Sequence, residues 1–204
     1  MEKLDRNFYL LDTLTVAREL LGKELVHVVD GFTVAGRIVE TEAYIGPEDK
    51  GSHSFGGRRT ERNEVMYRIG GTSYVYLIYG MHHCFNVVTG PEGKPEAVLI
   101  RAVEPIIGAE HMSLLRYGME LETLSERKKA ELCNGPGKLC RAMGIGKKEN
   151  GADLCGDSLF LRTPQTSQAF VIKSSPRINI DYAGEYKDKP WRFFVEGSRY
   201  VSKR

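Results

Sequence analysis

An α+β fold, with one curved and mainly antiparallel β-sheet and helices packed on it, is what this 204-residue sequence predicts. Two hairpin signals and one amphipathic helix carry that expectation. Asp30-Gly31 separates strand-like runs at 25–29 and 32–44, and an Asp-Gly pair in that setting is a strong short-range hairpin signal. The turn-rich stretch GPEGKPE is bracketed by runs at 85–89 and 97–104, which gives a second hairpin. Leu14, Ala17, Leu20 and Leu21 recur at helical spacing between a capping Asp12 or Thr13 and a stopping Gly22. Strands and helices that mix without regular alternation place the chain in the α+β class.

Taken in order, the first helix has an apolar face to lay on a sheet. Residues 38–44 then read as a β-branched strand on which Glu40, Glu42 and Tyr44 alternate onto one face. IGPEDKG is a loop signal, and His53 follows it, ahead of the Gly56-Gly57 pair and three arginines, Arg58, Arg59 and Arg62. Residues 74–79 form another strand, with Tyr74 and Tyr76 on one face, and Gly80 permits a sharp turn that leaves Tyr79 and Met81 at a tip. The return strand of the second hairpin carries Arg101, a single charge inside the apolar run AVLIRAV. From 107 to 143 the pattern is helical and mixed, with a charged stretch at 120–131 that reads as a solvated excursion and a Gly-Pro break at 134–137 before the short helix KLCRAM. Strand-like runs return at 158–162, 170–173 and 192–195.

The length suits one substantial core, so residues 1–204 are expected to form a single domain. Hydrophobic residues at 41% and charged residues at 27% lie near globular averages and favour neither a disordered chain nor a coiled coil. A formal charge of +2 is too mild to announce nucleic-acid binding, so only local clustering can argue for it. Cys84, Cys133, Cys140 and Cys155 show neither C-x-x-C nor zinc spacing and read as free thiols of a reducing compartment. Adjacent His82 and His83 point to opposite sides of a strand, which argues against a metal pair. The N-terminal stretch is broken by charges every few residues and no apolar run of membrane-spanning length occurs, so the expected location is the cytoplasm, with no membrane partner.

By residue type alone, the paired glutamates could be the solvent face of an edge strand, and Arg101 a core ion-pair partner whose mate cannot be chosen. A single aromatic at a hairpin tip is most often core, and Asn86 could be a turn or capping residue. The arginine cluster could be a solvated loop. Two chemical alternatives also fit: a metal-dependent phosphodiesterase with Glu40, Glu42 and His53 around a divalent ion, and a non-catalytic module stacking unpaired bases on Tyr44, Tyr76 and Tyr79.

Five stretches in order, GRIVETEAYIGPEDKGSHSFGGRRTERN, YVYLIYGMHHCFNVV, AVLIRAVEP, NGPGKLC and SPRINIDYAGEYKDKPWRFFVEGSRYVS, resemble the alkyladenine (3-methyladenine) DNA glycosylase family over nearly the whole chain. The resemblance implies a monofunctional enzyme that rotates a damaged purine out of double-stranded DNA and hydrolyses its N-glycosidic bond, with no cofactor or metal, acting as a monomer. It implies that Glu42, the second glutamate of ETEAY, is the catalytic glutamate, while Glu40 is structural or supporting. It implies that Arg101 and the main-chain carbonyl of Ile178 hold the attacking water. By the same resemblance Tyr44, His53 and Tyr76 line the base pocket, Asn86 rejects guanine, and Tyr79 with Met81 wedges into the duplex. Arg58, Arg59 and Arg62, with Lys138 as a weaker candidate, are expected at the phosphates. Ser54-Phe55 and His82-His83 fall where the family varies, and their influence on lesion preference has no predicted direction.

Overall fold

Residues 2–166 and 169–202 are described by the structure, a computed structural model. Its axis is β2 (Phe32–Ile45), which pairs antiparallel with three other strands: β1 (Glu24–Val29) along its first half, β8 (Arg192–Val195) along part of its second, and β5 (Glu96–Ile107) along nearly all of it. The eight-stranded sheet runs β3-β4-β5-β2-β1-β6, where β3 is Ser73–Ile78, β4 His82–Thr89 and β6 Leu159–Arg162, and β8 also pairs with β7 (Ile172–Ser175). Every pairing is antiparallel. The single-domain α+β expectation holds, and both expected hairpins form: β1 to β2 across Asp30-Gly31, and β4 to β5 across GPEGKPE.

Helices cover one face. The first, α1 (Arg6–Tyr9), was not anticipated; α2 (Thr13–Glu19) is capped by Asp12, whose side chain accepts from the Thr15 amide. Val16, Ala17 and Leu20 bury completely against Leu25, Ile38, Val98 and Ile100. That cluster takes in α3 (Ala109–Tyr117) through Met112 and α5 (Pro136–Ala142) through Leu139 and Ala142, while α4 (Glu126–Ala130) lies exposed, as expected of the charged stretch. Each fully buried Val, Leu, Ile or Met side chain here contributes about 1.5–3 kcal/mol, so the cluster fixes the sheet from one side. No described helix is long and apolar enough to cross a membrane.

Several boundaries differ from the sequence reading for local reasons. The KLCRAM helix begins two residues earlier, because Pro136 suits a first helical turn that needs no amide donor there. The strand expected at 170–173 is displaced to β7 (Ile172–Ser175), whose partners on β8 fix its register; β8 itself matches the expected range. β4 begins at His82 rather than 85, because only the three residues 79–81 connect the strands: Ile78 pairs with His82, and the Met81 amide donates to the Ile78 carbonyl. Tyr79 (φ 53) and Gly80 (φ 69) both take the left-handed conformation such a turn needs.

The consequential departure is in the middle of β2. Its register with β5 matches Ile38 to Val103, Glu40 to Ala102 and Thr41 to Ile100, passing over Val39 on β2 and Arg101 on β5. Simple alternation would put Glu40, Glu42 and Tyr44 on the same face as Ile38, within the helix-covered core. The bulge reverses this: Ile38 and Ala43 face the core, the Thr41 hydroxyl donates to the Ala17 carbonyl of α2, and Glu40, Glu42 and Tyr44 emerge on the other face. The unpaired Val39 packs with Ala102 and Val201 of the C-terminal tail. The fold thus delivers two carboxylates and an arginine to the face opposite the α2 layer, where a single 3-10 turn at Glu64–Tyr67 packs on Tyr74, Val88 and Ala97.

Candidate active site

That second face carries a solvent-connected cavity of about 270 Å³, at the small end of ligand pockets and suited to one flat heterocycle. Alternate residues of four strands form its floor and one wall: Tyr44 of β2, Tyr74 and Tyr76 of β3, Cys84 and Asn86 of β4, Ala97, Leu99 and Arg101 of β5. The other wall is the loop residue His53 with Gly51 and Ser52, and a segment from Ile178 to Tyr182 closes the rim.

Glu42 lies just beneath this floor, fully buried. Its Oε1 accepts the Ile178 amide at 2.7 Å; its Oε2 accepts the Tyr44 hydroxyl at 2.9 Å and Arg101 Nη1 at 3.3 Å. All three donors line the cavity. A carboxylate has about four lone-pair sites, so three donors leave room for about one more. Glu40 is different. Arg101 Nε at 3.0 Å, Arg192 Nε at 2.7 Å and the Ser202 hydroxyl at 2.9 Å bind its Oε1, and the Ser202 amide binds Oε2 at 2.7 Å. Of the residues that hold it only Arg101 lines the cavity, whereas all three that hold Glu42 do, which makes Glu42 the carboxylate placed to meet a further proton donor from the cavity. The edge-strand reading of this pair is overturned, since both are fully buried on a central strand.

Arg101 therefore has two mates, which its place in sequence could not reveal. Burial works against its charge, and the Glu42 and Glu40 carboxylates outweigh that, raising its pKa above the ordinary guanidinium value. Burial, then the Glu42 charge, pushes the Tyr44 phenol well up, so it stays a donor at neutral pH. Ile178 meets Glu42 through its amide N–H, a contact distinct from the water-holding carbonyl expected of it.

The aromatic residues converge as expected. His53 meets Tyr76 edge-on with centroids 4.6 Å apart, and its Nδ1 lies 2.8 Å from the Tyr74 hydroxyl. Burial first, then Arg62 and Arg58, lower its pKa to about 4, leaving the ring neutral. Asn86 is buried in a strand rather than a turn, its Nδ2 donating to the Tyr74 carbonyl at 3.1 Å. Tyr79 and Met81 are 76% and 71% exposed at the tip, so the core reading of the lone aromatic fails. A positive φ strains a bulky residue such as Tyr79, as is common where a side chain is held for use.

The basic residues separate. Arg58 is exposed with no side-chain partner among the described residues. Arg59 is engaged by Glu64 through Nε at 2.8 Å and Nη2 at 2.5 Å. Arg62 lies over the Tyr76 ring at 5.2 Å and donates to the Leu77 carbonyl. Lys138 is turned onto Asn134 at 2.8 Å and faces Glu131. His82 and His83 sit in the first positions of β4; among the described residues no group of three or more metal-ligating side chains forms.

Sequence reasoning missed four participants. Arg177 is fully buried, forks onto Asp49 at 2.5 and 2.7 Å, and lies over the Tyr44 ring at 4.6 Å and the Trp191 ring at 5.1 Å. Asp49 also accepts the Ile45 and Gly51 amides, closing the loop that carries His53. A Cβ on Gly46 would sit 1.8 Å from Ser54 Oγ, so this loop closes only over glycine. Asn63 pins its far end through the His53 and Arg58 carbonyls. Tyr182, 71% exposed, stands at the cavity rim. The Arg in SPRI was the available signal for the first; an Asp inside a Gly/Pro loop gives none.

The family model described as methylpurine-DNA glycosylase matches residues 7–199. A Desulfitobacterium hafniense protein named "Putative 3-methyladenine DNA glycosylase" is 54% identical over 202 residues, covering 99% of each chain. Proteins of the same name from Bacillus cereus and Bacillus thuringiensis are each 54% identical, covering 97% of this chain and 98% of theirs. The chain therefore belongs to the methylpurine-DNA glycosylase family, whose members are hydrolases of N-glycosyl bonds.

Proposed function

We propose that the protein rotates alkylated or deaminated purines, among them 3-methyladenine, 7-methylguanine, hypoxanthine and ethenoadenine, out of double-stranded DNA and hydrolyses their N-glycosidic bond. The product is an abasic site in an intact backbone. The observation that carries this reading is the buried Glu42 carboxylate, held by three donors that all line a purine-sized cavity and keeping acceptor capacity for one more partner.

Cleavage of a glycosidic bond leaves positive charge on the sugar, and a carboxylate near the anomeric carbon both stabilises that charge and takes a proton from water. Glu42 fills both roles, with Arg101 and the Ile178 main chain, including its carbonyl, holding the water. The extruded base stacks among Tyr44, His53 and Tyr76, which offsets part of the unpairing cost of a few kcal/mol. Ring faces favour a cationic alkylpurine by about 0.5–2 kcal/mol. A neutral His53 adds no opposing charge, which supports that selection. Asn86 meets the exocyclic amine of guanine and so protects the normal base. Tyr79 and Met81 fill the gap in the duplex, and Arg58, Arg59 and Arg62 meet phosphates, with Lys138 held back by its own neighbours. The protein acts as a monomer in the cytoplasm, without a cofactor.

The metal-phosphodiesterase alternative is disfavoured because guanidinium groups already occupy Glu40 and Glu42. An acid rather than an amine at the reacting position implies a water nucleophile. The test is incubation with duplex DNA carrying hypoxanthine, ethenoadenine or 3-methyladenine in EDTA, with borohydride present in a parallel reaction. Free base without a trapped protein–DNA adduct is expected. An adduct would contradict the hydrolytic step, and no release of any base would leave only a binding module.

A further inference from the structure

Glu40 is an expensive residue to bury: a carboxylate taken from water without compensation costs several kcal/mol. Here compensation comes from three parts of the chain, Arg101 of β5, Arg192 of β8 and Ser202 of the C-terminal tail. The arrangement is specific. Arg101 uses Nε on Glu40 and Nη1 on Glu42, so one planar guanidinium spans both carboxylates, and its Nη2 donates to Ser202 Oγ at 3.3 Å. Because the fork is rigid, fixing its Nε fixes the direction of its Nη1. The tail is itself fixed at the bulge, where Val201 packs on Val39, the residue before Glu40, and on Ala102, Glu40's register partner on β5.

We infer that Glu40 is a positioning residue for base excision: with Ser202 and Arg192 it aims Arg101 at Glu42 and balances the positive charge beside it. This inference rests on the reading that Glu42 activates the water. The groups facing Glu42 are Arg101 from β5, Tyr44 from its own strand, Arg192 opposite it on β8, and Arg177 with its partner Asp49. Cys84 of β4 and Tyr182 at the rim also feel its charge. Two carboxylates and two guanidiniums at the centre balance. Removing the Glu40 charge leaves Glu42 facing an excess of positive charge, which makes it harder to protonate and a weaker base.

Glu40→Gln keeps shape and removes charge. Single-turnover excision of hypoxanthine should slow about 10²-fold at neutral pH, the loss associated with a slight misplacement of a reacting group. The half-saturating enzyme concentration should stay within about twofold, since Glu40 touches no substrate. The acid limb of the pH–rate profile should move to lower pH by about one unit, a displacement that a merely structural role would not produce. Ser202→Ala, which leaves the charges intact, should slow excision more modestly, about tenfold, without moving the limb. A folded Glu40→Gln protein with wild-type rate and profile would overturn the inference; if that variant does not fold, an unchanged rate in Ser202→Ala would do so. Glu42→Gln run alongside separates the readings: if it too retains activity the proposed chemistry has failed, whereas an inactive Glu42→Gln beside an unaltered Glu40→Gln removes only the role given to Glu40.

Discussion

Replacing Asp49 by alanine tests how the site is held together. Asp49 and Arg177 are both fully buried, joined by contacts of 2.5 and 2.7 Å, and Asp49 also accepts the Ile45 and Gly51 amides. Truncation strands a buried guanidinium, a loss of about 3–5 kcal/mol. Against a total stability of about 5–15 kcal/mol that is a large fraction. At about 2–4 °C per kcal/mol for a chain of this size, the melting temperature should fall by about 6–20 °C. Function should suffer where the protein remains folded, because Arg177 braces the Tyr44 ring and immediately precedes Ile178, whose amide holds Glu42. Thermal melting followed by circular dichroism gives the first quantity; single-turnover excision well below the melting point gives the second. A melting temperature within about 3 °C of wild type would refute the assignment of this pair as a buried brace. An unchanged excision rate would refute its link to Glu42.

The exposed wedge should behave oppositely. Tyr79→Ala should leave stability within about 0.5 kcal/mol while weakening lesion-duplex binding by about 1–3 kcal/mol, the usual loss of a base-stacking ring, and equal affinity in a binding titration would contradict its insertion. Phosphate contact by the arginines is tested by salt: Arg58→Ala and Arg62→Ala should each reduce the slope of log affinity against log salt by about 0.9. Arg59→Ala should change it less, because Glu64 already engages that side chain, and three unchanged slopes would remove this surface from the interface. His53 supplies a stability test. An unfolded histidine titrates near 6.5, and burial with the neighbouring Arg62 and Arg58 lowers the folded value to about 4. The unfolded chain therefore binds the proton first, and stability declines as pH falls from 6.5 toward 4. His53→Asn should flatten urea-unfolding free energies over that window relative to wild type, and an identical pH slope would show that His53 is not depressed.

Much of this was legible in sequence, and the exceptions have one physical origin. Local chemistry marked the turns at Asp30-Gly31 and Gly80 and the helix after Asp12, because each is decided within a few residues. The carboxylates were visible, but strand alternation gave them the wrong companions. It placed Glu42 beside Ile38, whereas the bulge that passes over Val39 and Arg101 puts them on opposite faces. A bulge depends on how two strands match and not on either strand's pattern. Long-range pairing was equally hidden: Asp49 meets Arg177 and Glu40 meets Ser202 only after the tail returns across β2. Ordinary composition could not show which arginine of GGRRTERN remains unpartnered, since Glu64 might have engaged any of the three. Recognition of a motif supplied residues; only the folded register assigned one glutamate four donors and the other three.

One comparison reaches the centre of the chemistry. Glu42→Gln removes the charge and keeps the shape, so lesion DNA should still bind while release of hypoxanthine and 3-methyladenine falls by about 10²–10⁴-fold, the usual contribution of a general base. Free-base release at the wild-type rate from that folded variant would mean that the water is activated elsewhere.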